Sequence, residues 1–395
     1  MLDLVETLRQ LVCIASVNPM GSHADGPEFG EARLTEYLES VFRKLGLPCQ
    51  RQPVEPGREN IVGRLEGRRA PESPASVLLF SAHQDTVPVA GMTIAPFEPR
   101  VASGRLYGRG ACDVKGGLAA MLVALGRLQE ERPAGMPTVV LACTVNEECG
   151  FTGADALPRM WTGQGDSLLP HKPDAAVVAE PTGLDVVVAH KGLVRWRCHT
   201  RGRAAHGAYP EKGDSALYKM ARVLAALERY HGQVLAGRPV HPLCGGPTLN
   251  VGTISGGTSV NTVPDRCTIE LERRLTPQEG PLEARQELID HLAREVKLGP
   301  DLEHDEPFMR GLPLGDQANR ELADRLGAVV RRVAGTCRTV GAAYATDAAS
   351  LAAAGVPTVV FGPGSIEQAH TADEWIALDS LEMAAEVYYR FAKGF

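Results

Sequence analysis

Four short stretches of this chain are apolar almost without interruption: VLLF at 77–80, TVVLACTV at 138–145, DAAVVA at 174–179 and VPTVVF at 356–361. Strands that are apolar on both faces belong to a parallel sheet covered by helices on each side. Helical patterning lies between them. In FGEARLTEYLESVFRKLG, residues Leu34, Tyr37, Leu38, Val41, Phe42 and Leu45 fall on one stripe. GLAAMLVALGRLQ at 117–129 is a second helical run. Strands alternating with helices predict an open α/β sheet. The first residues, MLDLVETLRQLVCIAS, carry acids early and space their apolar positions helically, which predicts a first helix of the fold and not a signal peptide.

Between about 185 and 305 the period changes. Val194, Trp196 and Cys198 alternate with Arg195, Arg197 and His199; Cys267, Ile269 and Leu271 alternate with Thr268, Glu270 and Glu272. Strands of period two keep one wet face and suit an antiparallel sheet. Amphipathic helices are expected among them near 214–231 and 282–296. At 395 residues the chain exceeds one ordinary core. The expected organisation is an α/β domain made of 1–184 and 306–395, its mainly parallel sheet flanked by helices. An α+β domain carrying an antiparallel sheet is inserted at 185–305. No internal repeat is evident.

Composition narrows the classes. A formal net charge of −7 argues against a nucleic-acid partner. No apolar run approaches the length that spans a membrane. The nine cysteines never form C-x-x-C and sit mostly in apolar stretches, so buried free thiols in a reducing cytoplasm are expected.

Ligands of open α/β sheets gather beyond the carboxyl ends of the strands, and each apolar run is followed there by metal-type residues. VLLFSA leads to His83 and Asp85, VVLACTV to Glu147 and Glu148, AAVVA to Glu180, and VPTVVFGPGSIEQA to His370. Asp113 lies in GRGACDVKGG at the entry to a helix. Any one of these is an ordinary surface or hydrogen-bonded residue; five loops placing such groups on one sheet edge is a different matter. Imidazoles and carboxylates are zinc-type ligands. Five exceed what a single tetrahedral catalytic zinc uses, whereas two ions sharing a bridging carboxylate would use them all. Glu147 and Asp85 are then free for other work. A dinucleotide site drawn from LYGRGACDVKGG fails, because the spacing is not G-x-G-x-x-G and no apolar strand directly precedes it.

His83-Gln84-Asp85-Thr86-Val87-Pro88-Val89, then Leu106-Tyr107-Gly108-Arg109-Gly110-Ala111-Cys112-Asp113-Val114-Lys115-Gly116-Gly117, then Asn146-Glu147-Glu148-Cys149-Gly150 resemble the zinc metallopeptidase family of acetylornithine deacetylase, succinyl-diaminopimelate desuccinylase, aminoacylase and carboxypeptidase G. The resemblance covers nearly the whole chain. It implies that His83 and Glu180 hold one zinc, that Glu148 and His370 hold the other, and that Asp113 bridges them. Cobalt or manganese could take the same ligands. It further implies that Asp85 orients His83 through its second ring nitrogen and that Glu147 is the general base. His206, in Ala205-His206-Gly207-Ala208-Tyr209-Pro210, is expected to reach the active site of a partner subunit in a homodimer. Asn261 and Arg274 are expected to hold the substrate carboxylate, with Arg273 as the alternative if the register slips by one. The stretch Gly362-Pro363-Gly364-Ser365 to Gln368-Ala369-His370 and Asp373-Glu374 most resembles the acetylornithine deacetylase branch. ATDAAS at 345–350 matches that branch's substrate loop only loosely. The implied activity is removal of an acyl group, acetyl in the first instance, from an N-acylated amino acid. Desuccinylase-like deacylation and exopeptidase or dipeptidase action on the same scaffold are the alternatives. A non-catalytic binding protein would require a missing ligand or base, and none is missing.

Overall fold

The computed structural model describes residues 2–21, 26–68, 76–163 and 166–395. The chain divides into two compact units: Met1–Val188 with Asp316–Val340 and Thr346–Phe395, and Ala189–Gly315 with Gly341–Ala345.

In the first unit the four apolar runs form four adjacent, mutually parallel strands in the order Thr138–Thr144, Val77–His83, Ala175–Val178 and Thr358–Val360. Every residue of these strands is buried. Burial along a whole strand requires cover on both faces, which is why alternation is absent from the sequence. Cys49–Glu55 and Arg58–Leu65 extend one edge in antiparallel fashion, while Val186–His190 and Thr339–Ala342 continue the other. The predicted helices appear as Leu4–Cys13, Ala32–Lys44 and Lys115–Glu131. Asp3 caps the first of them, accepting the Glu6 N–H at 2.8 Å. Lys115–Glu131 packs between Leu4–Cys13 and Leu378–Lys393. Its opening glycines allow close approach to the sheet, for a Cβ on Gly117 would lie 2.8 Å from that of Ala179.

Among the four parallel strands, spatial order differs from chain order at one place. From Val77–His83 the chain moves to Thr138–Thr144 on one side, and the next strand, Ala175–Val178, lies on the other. This reversal is a topological switch point, where a crevice opens at the carboxyl ends of the strands. His83 is the last residue of the strand at that point.

The second unit is an antiparallel sheet in the order Thr248–Gly256, Arg266–Leu275, Gly192–Arg201 and Leu302–His304, with Met309–Gly311 also paired to Gly192–Arg201. Val194, Trp196, Cys198, Cys267, Ile269 and Leu271 form its core with the helices Ala216–Arg229 and Pro281–Val296. Opposite that face the Arg195–Glu272 and Arg197–Glu270 pairs line up across the strands at 2.6 and 3.0 Å. His199 departs from the expected wet face. It is buried, with Nδ1 2.9 Å from Thr268 Oγ1 and Nε2 3.0 Å from Asp305 Oδ2. The strand Met309–Gly311 lies past the expected end at 305, and this unit continues ten residues beyond that end, to Gly315.

None of the nine cysteines forms a disulfide, and only five are buried; Cys13 is exposed. No helix among the described residues is long and apolar enough to cross a membrane.

Candidate metal centre

Every strand of the parallel set leads, at or beyond its carboxyl end, to a ligand-type side chain. His83 closes Val77–His83, and its ring is fixed by Nδ1 lying 2.9 Å from the Asp85 main-chain carbonyl. That leaves Nε2 facing the site, 3.1 Å from Asp113 Oδ1 and 4.0 Å from Glu180 Oε1. Glu180 follows Ala175–Val178 by two residues, and glycine is required opposite it, since a Cβ on Gly362 would lie 2.6 Å from its carbonyl. His370 Nε2 lies 3.3 Å from Asp113 Oδ2 and 3.3 Å from Glu148 Oε2. Two triads result, His83–Asp113–Glu180 and Asp113–Glu148–His370, each with ligand atoms within 4.8 Å of one another. Asp113 offers one oxygen to each. The five residues singled out in the sequence therefore converge.

Asp85 has a different task from the expected one. Its carboxylate is 3.6 Å from His83 Nδ1, too long for a hydrogen bond, and the carbonyl makes that bond instead. The carboxylate accepts the backbone N–H groups of Glu147 and Glu148, both at 3.1 Å, and the Asn18 amide at 2.7 Å. It thus holds the turn after Thr138–Thr144, in which Asn146 adopts a left-handed φ of 62°.

The electrostatics follow from gathering acids in a buried place. Burial, reinforced by neighbouring carboxylates, pushes Glu147 and Glu180 well above the usual range and raises Glu148. Burial also opposes charge on Asp113 and His83. Hydrogen bonds to the histidines nevertheless hold Asp113 below its ordinary range, and the contact with Asp113, joined by Glu147 and Glu180, raises His83. His370 is pushed up to about 10 by hydrogen bonds to Asp113 and Glu148. Glu148 Oε1 and Glu180 Oε1 are buried with no hydrogen-bond partner. A buried carboxylate oxygen without a donor is costly unless a cation meets it. The donor set, the orphaned oxygens and the shared Asp113 fit divalent metal ions.

Glu147 is buried beside the triads but belongs to neither, so its carboxylate is available as a base. Two residues of this region were not among the expected site residues. Asn18 ties Asp85 to Asn146, with its amide 2.9 Å from Asn146 Oδ1. Asp347, in the ATDAAS stretch, accepts the Thr144 hydroxyl at 2.6 Å, and burial pushes its carboxyl up to about 7.

The remaining expected residues lie in the second unit. His206 and Asn261 share one exposed patch: His206 pairs with Thr262, and the Asn261 carbonyl accepts the Gly207 N–H at 2.7 Å. The patch adjoins the Arg201–Arg266 end of the sheet, where Gly202 N–H donates to Asp265. Arg274 pairs with Leu193 at the opposite end, about 27 Å along the strand at ~3.4 Å per residue. The alternation of the strand separates the two arginines. Arg273 is fully buried and bonded to Glu279, whereas Arg274 lies on the other face against Glu272 at 2.8 Å.

A parallel sheet with a carboxylate–histidine centre at its switch point and a free buried carboxylate beside it defines a metal-dependent hydrolase of amide bonds. Residues 79–394 match the model of peptidase family M20/M25/M40, and the chain belongs to that family. Among curated relatives it is similar to acetylornithine deacetylases, at 30% identity in Myxococcus xanthus with 92% of each chain covered. The Vibrio campbellii protein is 28% identical, with 98% of this chain and 97% of that one covered. Its fold resembles those of an M20 family metallo-carboxypeptidase from Sulfolobus solfataricus (TM-score 0.79, 18% identity, 100% and 99% covered) and a dipeptidase from Saccharomyces cerevisiae (TM-score 0.79, 13% identity, 99% and 96% covered).

Proposed function

We propose that this protein removes the acetyl group from an N-acetylated amino acid, as the name of its acetylornithine deacetylase relatives describes for them. The observation that carries the reading is the pair of triads sharing Asp113 beside the free carboxylate of Glu147. His83, Asp113 and Glu180 would hold one ion, and Asp113, Glu148 and His370 a second. Zinc suits these donors, with cobalt and manganese as substitutes. Two bound ions would supply Lewis acidity and make the attacking water acidic enough to react near neutral pH.

The protein's own residues do the rest. Glu147 accepts the proton of the attacking water and returns it to the departing nitrogen, so that water and amide become a carboxylate and an amine. Asp85 keeps Glu147 and Glu148 at fixed positions through their backbone N–H groups. His206 donates to the developing oxyanion. Arg274 and Asn261 bind the substrate carboxylate, for which a guanidinium on the open face of its strand is suited.

A homodimer follows from this assignment. An acylated amino acid is too small to touch both ends of the Arg266–Leu275 strand, so His206 and Asn261 serve the site of a second copy. Cysteines outside disulfides fit a cytoplasmic setting.

The reading is tested by supplying the metal-loaded protein with N-acetyl, N-succinyl and N-formyl amino acids and with dipeptides. Preferential turnover of N-acetyl substrates is expected; preferential turnover of dipeptides would replace it with a peptidase. Co-expressing His206→Ala and Glu147→Gln chains tests the exchange of histidines. About a quarter of wild-type activity should return, from the one intact site of each mixed dimer. No recovery in mixed dimers would remove the exchange.

A further inference from the structure

Asp113 stands at the centre of both triads, yet it lies on a loop and not in a strand or helix. What fixes it is a second carboxylate. Glu374 is fully buried, and its two oxygens collect four donors. Oε1 accepts the backbone N–H groups of Cys112 at 2.9 Å and Asp113 at 3.0 Å. Oε2 accepts the Gly110 N–H at 2.9 Å and Arg109 Nη1 at 2.7 Å. Successive loop N–H groups converging on one anion make a nest, here filled by a side chain of the same protein. Arg109, 3% exposed, is the cation that balances it.

The main chain of the same segment is zipped to the loop's approach. The Glu374 carbonyl accepts the Gly108 N–H at 3.0 Å, and Trp375–Ala377 pairs with Arg105–Tyr107. His370, the ligand that meets Asp113 Oδ2, precedes Glu374 by only four residues. Glu374 therefore ties together the loop bearing Asp113 and the segment bearing His370.

We propose that Glu374 is a positioning residue that sets Asp113 and His370 at the separation a metal pair needs, through the nest of N–H groups it fills. The inference rests on the metal-centre reading above. Partners that orient metal ligands govern affinity as well as activity, commonly by about 10–100-fold. In Glu374→Gln the amide keeps one oxygen for two of the donors and turns an NH2 group toward the other two. Asp113 should then lose its fixed backbone while its own carboxylate is untouched.

The test uses the full chain stripped of metal and retitrated with Zn2+ against a chelator and with Co2+ followed by visible absorption. For folded Glu374→Gln we expect a dissociation constant raised about 10–100-fold and an altered Co2+ spectrum. A purely structural role would lower the melting temperature of the metal-free protein without moving either readout. Wild-type affinity and spectrum in the folded variant would overturn the proposal. If Glu374→Gln does not fold, Glu374→Asp decides: it keeps the charge but withdraws it by one methylene. Weakened metal binding is expected there, and wild-type binding would overturn the idea equally. A wild-type chain that binds no divalent ion would instead overturn the metal centre itself.

Discussion

The two jobs assigned to Asp85 can be separated by Asp85→Asn. The substitution preserves the main-chain carbonyl that meets His83 Nδ1 and alters only the carboxylate that meets the N–H groups of Glu147 and Glu148. An asparagine offers one oxygen where two were used, so one buried peptide N–H is left facing an NH2 group. An unmade buried hydrogen bond costs about 1–3 kcal/mol. At 1.4 kcal/mol per tenfold, the penalty on holding the Glu147–Glu148 turn is roughly one to two powers of ten. That loss should appear in turnover and in metal affinity at the Asp113–Glu148–His370 triad. The His83–Asp113–Glu180 triad should be spared, because the carboxylate is 3.6 Å from the ring and makes no bond to it. The clean assay places Asp85→Asn in a His370→Ala background, where only the His83 triad is complete, and titrates Zn2+. An affinity within about threefold of the His370→Ala parent is expected, since no bond to His83 is lost. A tenfold loss there would refute the reasoning and return the carboxylate to the task of orienting His83.

Other outcomes follow from the same geometry. Glu147→Gln should keep its metal, measured by atomic absorption, and lose at least about 100-fold in kcat, the low end of general-base contributions. Near-full activity would place the base elsewhere. Arg274→Ala should raise KM for acyl amino acids while leaving the melting temperature nearly unchanged. Arg273→Ala should instead destabilise the second unit by roughly 1.5–3 kcal/mol, the worth of the charged hydrogen bond it makes to Glu279, which keeps Arg238 as its other partner; the opposite pattern would exchange their roles. His304 bears on acid stability. Burial, with help from Arg285, holds its folded pKa at about 4, against 6.5 for the free group. The folded state keeps it neutral, with the Trp196 indole N–H 3.2 Å from its Nδ1. Its contribution is complete above pH 6.5 and is lost as pH falls toward 4, to a total of about 3 kcal/mol. The protection of the Gly192–Arg201 amides, measured as exchange relative to the intrinsic rate at each pH, should fall over that window, and His304→Phe should flatten the dependence. An unchanged slope in that variant would assign the acid sensitivity to other groups.

The architecture was legible because burial writes itself into hydrophobic period. The runs at 77–80, 138–145, 174–179 and 356–361 are apolar because both faces of those strands are covered. The alternation of Val194, Trp196 and Cys198 reflects a face packed on helices and a face of arginines and glutamates. Period fails where a loop covers a polar face. His199 reads as wet, but the chain that folds back around Asp305 buries it. The same returning chain carries the short strands Leu302–His304 and Met309–Gly311, the second of them past residue 305.

The metal centre shows a sharper division. Ligand side chains have few chemical types and follow strand ends or, for Asp113, stand at the entry to a helix, so His83, Asp113, Glu148, Glu180 and His370 could be picked out before any geometry was known. Their supports have no such constraint. Any acceptor that reaches a free N–H will serve, and reach depends on tertiary contacts across hundreds of residues. Asp85 illustrates the ambiguity at short range. A carbonyl and a carboxylate of one residue both lie near His83, and only distance assigns the bond to the carbonyl. Asn18, Asp347 and Glu374 illustrate it at long range, joining residues 67, 203 and 261 positions away. The chemistry of this site is local to its ligands. Its precision comes from non-local hydrogen bonds, so substitutions outside the ligands and the base that impair it should cluster at these three positions and at Asp85.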